Sequence, residues 1–156
     1  MTKPYMEFIV EMSDPRPISV NKMYASGRNG TRFLTTEGRH YKARLCEEIA
    51  KAVATLPWKA AVDGVYKEGA GVRLEVILAL DRLMNTAWRV GGGTTPSGEP
   101  RSPFFKIDAT NYIKLIEDAI VQGTGIDDSA HLGFCIEKIS DKENPRIIVH
   151  YKVFEP

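Results

Sequence analysis

The chain has 156 residues, of which 43% are hydrophobic and 26% charged, and its 21 Lys+Arg against 20 Asp+Glu give a formal net charge of +1. This is ordinary globular composition, and the chain is long enough to bury a core as one domain without disulfide or metal staples. A balanced charge neither indicates nor excludes a nucleic-acid partner, because clustering on one face decides that question.

Cysteine and histidine usage argues against a zinc site or a disulfide framework. Cys46 lies in a helical pattern and Cys135 in a strand-like one, neither belongs to a C-x-x-C pair, and both are expected to be buried free thiols. The three histidines are widely spaced, which makes zinc binding improbable. The N-terminus is too charged for a secretory signal, and no apolar run approaches membrane-spanning length, so we expect a cytoplasmic protein without a membrane partner.

The first half of the chain predicts a strand, a loop and a helix. "YMEFIVEM", Tyr5–Met12, reads as a strand, and the Pro-, Gly- and Asn-rich stretch "SDPRPISVNKMYASGRNG" after it as a loop. Apolar residues with helical spacing then predict a helix from Thr36 to about Leu56. Thr36 is its expected cap, and Pro57 ends it.

The second half predicts three strands and a second helix. "GVRLEVILAL", Gly71–Leu80, is a strand whose nearly continuous apolar half suggests burial on both faces. Trp88–Pro103 reads as a long mobile loop. The remaining predictions are a helix at Ala109–Gln122 that stops at Gly123, and strands at Leu132–Ile139 and Arg146–Phe154.

The order β-α-β-α-β-β predicts an α/β (α+β) fold: one domain over residues 1–156, with a mixed sheet and two main helices. Helices on one face of the sheet would leave the other face in need of cover. A homodimer is one way to provide that cover.

The second helix carries most of the chemistry-bearing residues. At about 100° per residue, one side of this helix is apolar; that side comprises Tyr112, Ile113, Ile116, Ala119 and Ile120. The other side is polar apart from Leu115; it comprises Asn111, Lys114, Asp118 and Gln122. Asp108 precedes the helix, and Asp127 and Asp128 follow a "GTG" turn that could fold back on it. These carboxylates could converge with Lys114 on one acidic pocket.

Two interpretations of this pattern stay open from spacing alone. Oxygen-rich pockets hold Mg²⁺, and a nearby lysine can neutralise charge that builds on a phosphate. Alternatively, Asp108 or Thr110 only caps the helix, Lys114 and Asp118 form an i,i+4 pair on a solvated face, and "GIDDS" is only a turn.

Three stretches in sequence order resemble the RusA family of Holliday-junction resolvases. They are "D-x-x-N-x-x-K-x-x-x-D-A" followed by "G-x-D-D-S" and a strand ending in "EK" at Glu137–Lys138; "PISVNKMY" at Pro17–Tyr24; and "TTEGRHYK" at Thr35–Lys42. The element order fits over nearly the whole chain. Only the segment at about 84–103 has the look of a flexible insertion.

The resemblance implies roles for single residues. It makes Asp108 the first acidic ligand, Asp128 the ligand after the turn with Asp127 beside it, and Lys114 the catalytic lysine. Asn111 and Asp118 match family positions around the site, and Asp118 is a further candidate ligand. The family is typically phage- or prophage-borne, which would place the protein in a bacterial cytoplasm. It acts as a homodimer that cuts four-way DNA junctions with Mg²⁺ or Mn²⁺.

One position departs from the family pattern: Thr110 stands where the family usually has a second aspartate. Three accounts are open. Asp127 or Asp118 substitutes for the missing carboxylate, metal affinity is lower, or the nuclease is impaired. The last account gives the main rival function, a junction- or DNA-binding module of the same fold without catalysis. A small-molecule enzyme has no support, because no phosphate-cradling glycine loop or nucleophile motif is present, and no nucleotide cofactor is expected.

Basic and aromatic residues outside the acidic cluster are candidates for DNA contacts, although for each of them a plain surface role is the alternative. The main candidates are Asn21, Lys22, Tyr24, Arg28, Arg32, Lys106 and Asn111. Further cations that could complete a basic rim are Arg16, Arg39, Lys42, Arg44, Arg82, Arg89 and Arg101. Phe33, like Tyr24, could stack on an unpaired base or pack on the domain.

Overall fold

The structure, a computed structural model, describes residues 3–13, 24–26, 32–85, 88–104 and 110–155. Within those ranges, only the backbone is described at residues 24, 32, 90, 91, 110 and 111. The architecture is α+β, with one mixed sheet covered by helices. No helix among the described residues is both long and apolar enough to cross a membrane.

Four of the strands that the structure describes form the main sheet, in the order β1-β6-β4-β5. The strands in chain order are β1 Met6–Ser13, β2 Tyr24–Ser26, β3 Arg32–Leu34, β4 Gly71–Leu80, β5 His131–Ser140 and β6 Arg146–Phe154. β1 and β4 each pair antiparallel with β6, whereas β4 and β5 are parallel, as a crossover through a helix requires. The predicted mixed sheet is therefore confirmed.

Among the described residues, three α-helices accompany the sheet: α1 Thr36–Ala54, α2 Trp58–Asp63 and α3 Thr110–Thr124. The two main helices predicted from the sequence are α1 and α3, and α2 is an addition that continues into a π-helical turn at Gly64–Glu68. The cap of α1 is Thr35 rather than Thr36. The Thr35 hydroxyl accepts a hydrogen bond from the amide of Gly38 at 3.2 Å, which satisfies a donor that the first helical turn leaves free.

The core lies between one face of the sheet and the pair α1 and α3. α1 buries Tyr41, Leu45 and Ile49, which recur every four residues. α3 buries a wider arc, because it packs against both the sheet and α1; its fully buried residues are Leu115, Ile116, Ala119 and Ile120. Leu115, predicted to be an apolar residue on the polar side, thus belongs to the core.

The second face of the sheet is largely open, and two burial predictions hold there only in part or fail. β4 buries its helix-facing residues and also Ala79 on the other face, but Glu75 and Ile77 on that face are half-buried and Arg73 is exposed, so only the end of this strand is buried on both faces. Cys135 is exposed on the same face, and Cys46 is half-buried, so neither thiol is fully buried. Ile9 is 58% exposed here, in contrast to its buried neighbours on the helix side, Phe8 and Val10.

Two stretches predicted as irregular contain ordered pairing. Tyr24–Ser26, in the predicted loop, pairs antiparallel with β3 as a small separate hairpin, which the turn-rich composition around it conceals. An antiparallel β-bridge between Met84 and Phe104 joins the two ends of the segment at 84–103. A second such bridge joins Thr94 to Pro100. Its mobility stays a prediction.

Candidate active site

α3 presents the first two groups of the site. Lys114 and Asp118 are one helical turn apart, and the Lys114 Nζ lies 3.0 Å from the Asp118 Oδ1. The helix exposes these side chains because its apolar arc faces the sheet and α1. By itself this is the i,i+4 pair of a solvated helix face.

The turn after α3 brings a carboxylate from outside the helix close to Lys114. α3 does not stop at Gly123 as predicted but continues to Thr124. Gly125 then adopts a positive φ of 72° and donates its amide hydrogen to the carbonyl of Val121 at 2.9 Å, the left-handed ending that glycine favours. The chain reverses here, and the Asp128 Oδ2 comes to 3.6 Å from the Lys114 Nζ.

Asp127 has a structural task of its own in this turn. Its Oδ1 accepts a hydrogen bond from the Ser129 amide at 3.0 Å and caps the short 3-10 turn Asp128–Ala130. Hydrogen bonds from Ser129 hold the pKa of Asp127 below its ordinary value. Asp127 therefore stays ionised at neutral pH, with one carboxylate oxygen committed to the turn.

The carboxylates line an open cleft of about 360 Å³ between α1 and α3. Its walls carry Lys42, Asp118, Val121, Gln122, Asp127 and Asp128. Lys42 comes from α1 and is half-buried, yet it forms no ion pair within the part of the chain that the structure describes. Among the described side chains, the cleft is thus lined by three carboxylates and Lys42, and Lys114 reaches its edge through the contacts with Asp118 and Asp128.

Electrostatics sets the protonation state of the groups around Lys114. The hydrogen bond to Asp118 raises the pKa of Lys114, with smaller support from Asp128, so Lys114 is an ammonium ion at neutral pH. Burial raises the pKa of Glu117, and the neighbouring carboxylates Asp128 and Asp118 add to the effect. Glu117 was not predicted as part of this cluster, although its position three residues after Lys114 is a signal that could have placed it there.

Several predicted site residues fall outside the described ranges. They are Asp108, Asn21, Lys22, Arg28 and Lys106. Thr110 and Asn111 open α3, and Tyr24 and Arg32 stand in the β2–β3 hairpin, but only their backbones are described. Phe33, in the same hairpin, is 51% exposed.

The cations predicted along the start of α1 do not form one rim. Lys42 faces the acidic cleft, whereas the Arg44 guanidinium donates to the Ser13 carbonyl at 3.0 Å, at the end of β1. Arg44 lines a separate cleft there, together with Glu11, Glu47 and Glu48. Only Lys42 of these two cations is therefore placed to meet a ligand in the cleft beside α3.

The donor set agrees in chemistry with a hard divalent cation. Mg²⁺ takes a small number of carboxylate oxygens and keeps several waters, and Asp118, Asp127 and Asp128 supply such oxygens on one cleft. Among the residues whose placement is described, no three His, Cys, Asp or Glu side chains stand close enough to hold a metal by themselves. Asp108, the first acidic ligand implied by the family resemblance, lies outside the described ranges.

Comparisons with known proteins identify the family. The family model for endodeoxyribonuclease RusA matches residues 14–152, nearly the whole chain, and the function of this family is that of Holliday-junction resolvase nucleases, which bind branched DNA. No curated protein matches the chain. Among solved structures, 2C-methyl-D-erythritol 2,4-cyclodiphosphate synthase from Plasmodium vivax aligns with 96% of this chain and 95% of its own. The two chains are 11% identical, and the TM-score is 0.27. On the family match, the chain belongs to the RusA endodeoxyribonuclease family.

Proposed function

We propose that this protein is a divalent-metal-dependent endonuclease that cuts four-way DNA junctions, with the cleft between α1 and α3 as its catalytic centre. One observation carries the proposal. Lys114 contacts carboxylates from two different elements, Asp118 of its own helix and Asp128 of the turn beyond it. A solvated helix face would explain the first contact but not the second.

The carboxylates Asp108, Asp118, Asp127 and Asp128 are the proposed ligands of Mg²⁺, for which Mn²⁺ could substitute. A bound ion of this kind would supply Lewis acidity, which would activate water and stabilise charge on the phosphodiester. The donor chemistry of the cleft supports this assignment. Asp127 would contribute the oxygen that its turn leaves free.

Lys114 acts in this proposal as an electrostatic group. Its raised pKa keeps the amine protonated, so it cannot serve as a general base at neutral pH. With Asp118 and Asp128 beside it, the ammonium reduces the repulsion between these carboxylates before DNA arrives. It can then stabilise the charge that builds on the scissile phosphate.

Lys42 is the proposed contact to a phosphate of the DNA strand that enters the cleft. Lys114 is already compensated by carboxylates, whereas Lys42 has no acidic partner among the described side chains and stands in the same cleft. An uncompensated cation is what a phosphate in this cleft would attract. The remaining DNA-contact candidates predicted from the sequence, in the loop before β3 and at the start of α3, stay part of the proposal.

A homodimer would match the two-fold symmetry of a four-way junction, because it presents two cleavage centres to two strands. The open face of the sheet supports it: Ile77 and Ile148 pair at its centre, and ion pairs such as Lys152–Glu75 at 2.6 Å surround them. Sedimentation equilibrium tests this proposal, and a monomer at micromolar concentration would contradict it.

A catalytically impaired junction-binding module is the second candidate. Thr110 at a position where the family pattern has aspartate favours it, as does the lack of a three-ligand group among the described residues. This candidate keeps the fold and the affinity for junctions but predicts no cleavage in any divalent metal.

Cleavage of matched DNA substrates separates the candidates. A labelled four-way junction and a linear duplex of the same arms are incubated with the protein in Mg²⁺, in Mn²⁺ and in EDTA. The proposal predicts paired symmetric cuts in the junction, none in the duplex and none in EDTA. The control variant is Glu47→Gln, which changes a carboxylate in the separate cleft with Arg44. It should cut like the unmodified protein. Tight binding without any cut would favour the impaired module.

A further inference from the structure

The turn that carries Asp127 and Asp128 is held by residues from a distant part of the chain. The Trp58 indole donates a hydrogen bond to the Thr124 carbonyl at 2.7 Å, at the end of α3. Three residues further on, the amide of Asp127 donates to the Tyr66 hydroxyl at 2.8 Å. The same hydroxyl donates to the Gly125 carbonyl at 3.4 Å, so it bridges the two ends of the reversal.

The position of Tyr66 depends on the π-helical turn that contains it. Gly64 opens this turn against Tyr5, where an added Cβ would lie 2.5 Å from the Tyr5 hydroxyl. Gly69, with a φ of 78°, closes it. Single π turns are rare, and they are frequent at functional sites. Here the wider turn places a tyrosine, 61 positions before Asp127, beside the turn that bears the candidate ligands.

Trp58 packs in the core, whereas Tyr66 lies at the surface, so only a change at Tyr66 can alter the turn without disturbing the fold. Trp58 packs its ring against Phe8 and Tyr151, with centroids 5.4 and 5.8 Å away, so it belongs to the core as well. Tyr66 is 57% exposed, and its ring buries little. Loss of the Tyr66 hydroxyl should therefore affect the turn much more than the fold.

We propose that Tyr66 is a positioning residue of the catalytic centre, which fixes the backbone at Asp127 and thereby the approach of the next residue, Asp128, to Lys114. The inference rests on the proposed nuclease function. The side chain of Asp128 starts one residue after the amide that Tyr66 holds, and its contact with Lys114 depends on that backbone. Without the hydroxyl, the Asp127 amide loses its hydrogen-bond acceptor, and the backbone of the turn is no longer fixed there.

The test is Tyr66→Phe, with Tyr5→Phe as the matched control. The control removes a hydroxyl on the other side of the same π turn and leaves the two hydrogen bonds of Tyr66 in place. A net hydrogen bond corresponds to roughly three- to tenfold in an equilibrium constant. We expect single-turnover cleavage by Tyr66→Phe to be slower by about that factor, with an unchanged junction KM.

Amide hydrogen exchange gives a second readout that does not depend on activity. The Asp127 amide should exchange faster by the same factor in Tyr66→Phe and at the normal rate in Tyr5→Phe. Normal exchange at Asp127 in Tyr66→Phe would overturn the inference, and so would equal slowing of cleavage by both variants. If the unmodified protein cuts no junction, the proposed function fails; the exchange rate at Asp127 then still decides whether Tyr66 positions the turn.

Discussion

Substitution of Gly123 by alanine tests why α1 and α3 lie close enough to form the cleft. An ideal Cβ at Gly123 would lie 2.7 Å from the Cγ2 of Ile49, 2.9 Å from its Cβ and 3.2 Å from the backbone carbonyl oxygen of Cys46. Ile49 is fully buried, and the Cys46 oxygen belongs to the helix backbone, so neither neighbour can move freely. Gly123 is therefore a close-approach glycine between two helices.

The expected change in the free energy of unfolding of Gly123→Ala combines two opposing effects. Overpacking of a tight core costs about 1–3 kcal/mol, and contacts with a buried side chain and a backbone atom place this site near the upper end. Alanine gains about 1 kcal/mol over glycine in a helix interior. The net loss is about 2 kcal/mol, which corresponds to a fall in Tm of about 4–8 °C for a domain of this size.

Thermal unfolding followed by circular dichroism measures this change. Gly133→Ala is the control, because its added Cβ would meet only the flexible side chain of Arg73, at 3.3 Å from Cγ, and its Tm should stay within about 2 °C. Ile49→Ala removes the clashing Cγ2, so adding it to Gly123→Ala should cost less than the sum of the two single changes. An increase in Tm for Gly123→Ala, or strict additivity with Ile49→Ala, would refute the reasoning.

Three further predictions concern the charged groups of the cleft. Lys42→Gln should reduce the slope of log K against log salt for junction binding by about one unit, measured by fluorescence anisotropy, whereas Lys51→Gln, a lysine paired with Glu47 and Glu48, should leave it unchanged. Lys114→Met should slow single-turnover cleavage by about 10²-fold or more with a nearly unchanged Tm, and normal rates would exclude its electrostatic role. Burial lowers the pKa of His131 despite the nearby Asp128 and Asp127, so the unfolded chain binds a proton at pH values where the folded chain does not. Stability should therefore fall on acidification below about pH 6.5 and fall less in His131→Asn, as melts in EDTA between about pH 7.5 and 5.5 would reveal.

Local periodicity was sufficient to predict the four strands of the main sheet and the two main helices, but not α2 or the β2–β3 hairpin. The predicted bounds of β4 and β6 agree with the structure, and those of β1 and β5 differ by one residue at each end, because alternation of side chains records which face meets the core. The predicted end of α3 was wrong. Glycine usually marks a helix stop, but Gly123 lies within the helix and packs on Ile49, a tertiary contact that no local pattern contains.

The same division between local and distant contacts applies to the candidate site. The pair Lys114–Asp118 follows from helical spacing, and its geometry was predictable. The approach of Asp128 to Lys114 depends on the reversal at Gly125, which the sequence suggested only as a turn that could fold back. Tyr66 reaches the site from 61 positions away, and nothing in its own neighbourhood along the chain indicates that role.

Cleavage of a labelled four-way junction in Mg²⁺ tests the proposed catalytic centre most directly, with three proteins compared: the unmodified chain, Asp128→Asn and Thr110→Asp. We expect paired symmetric cuts by the unmodified chain and the loss of both cuts in Asp128→Asn, while junction binding stays within about twofold. Binding without cleavage by the unmodified chain, with cuts appearing only in Thr110→Asp, would contradict the proposal. That result would mean that the protein keeps the family fold and its affinity for junctions but lacks a carboxylate that catalysis requires.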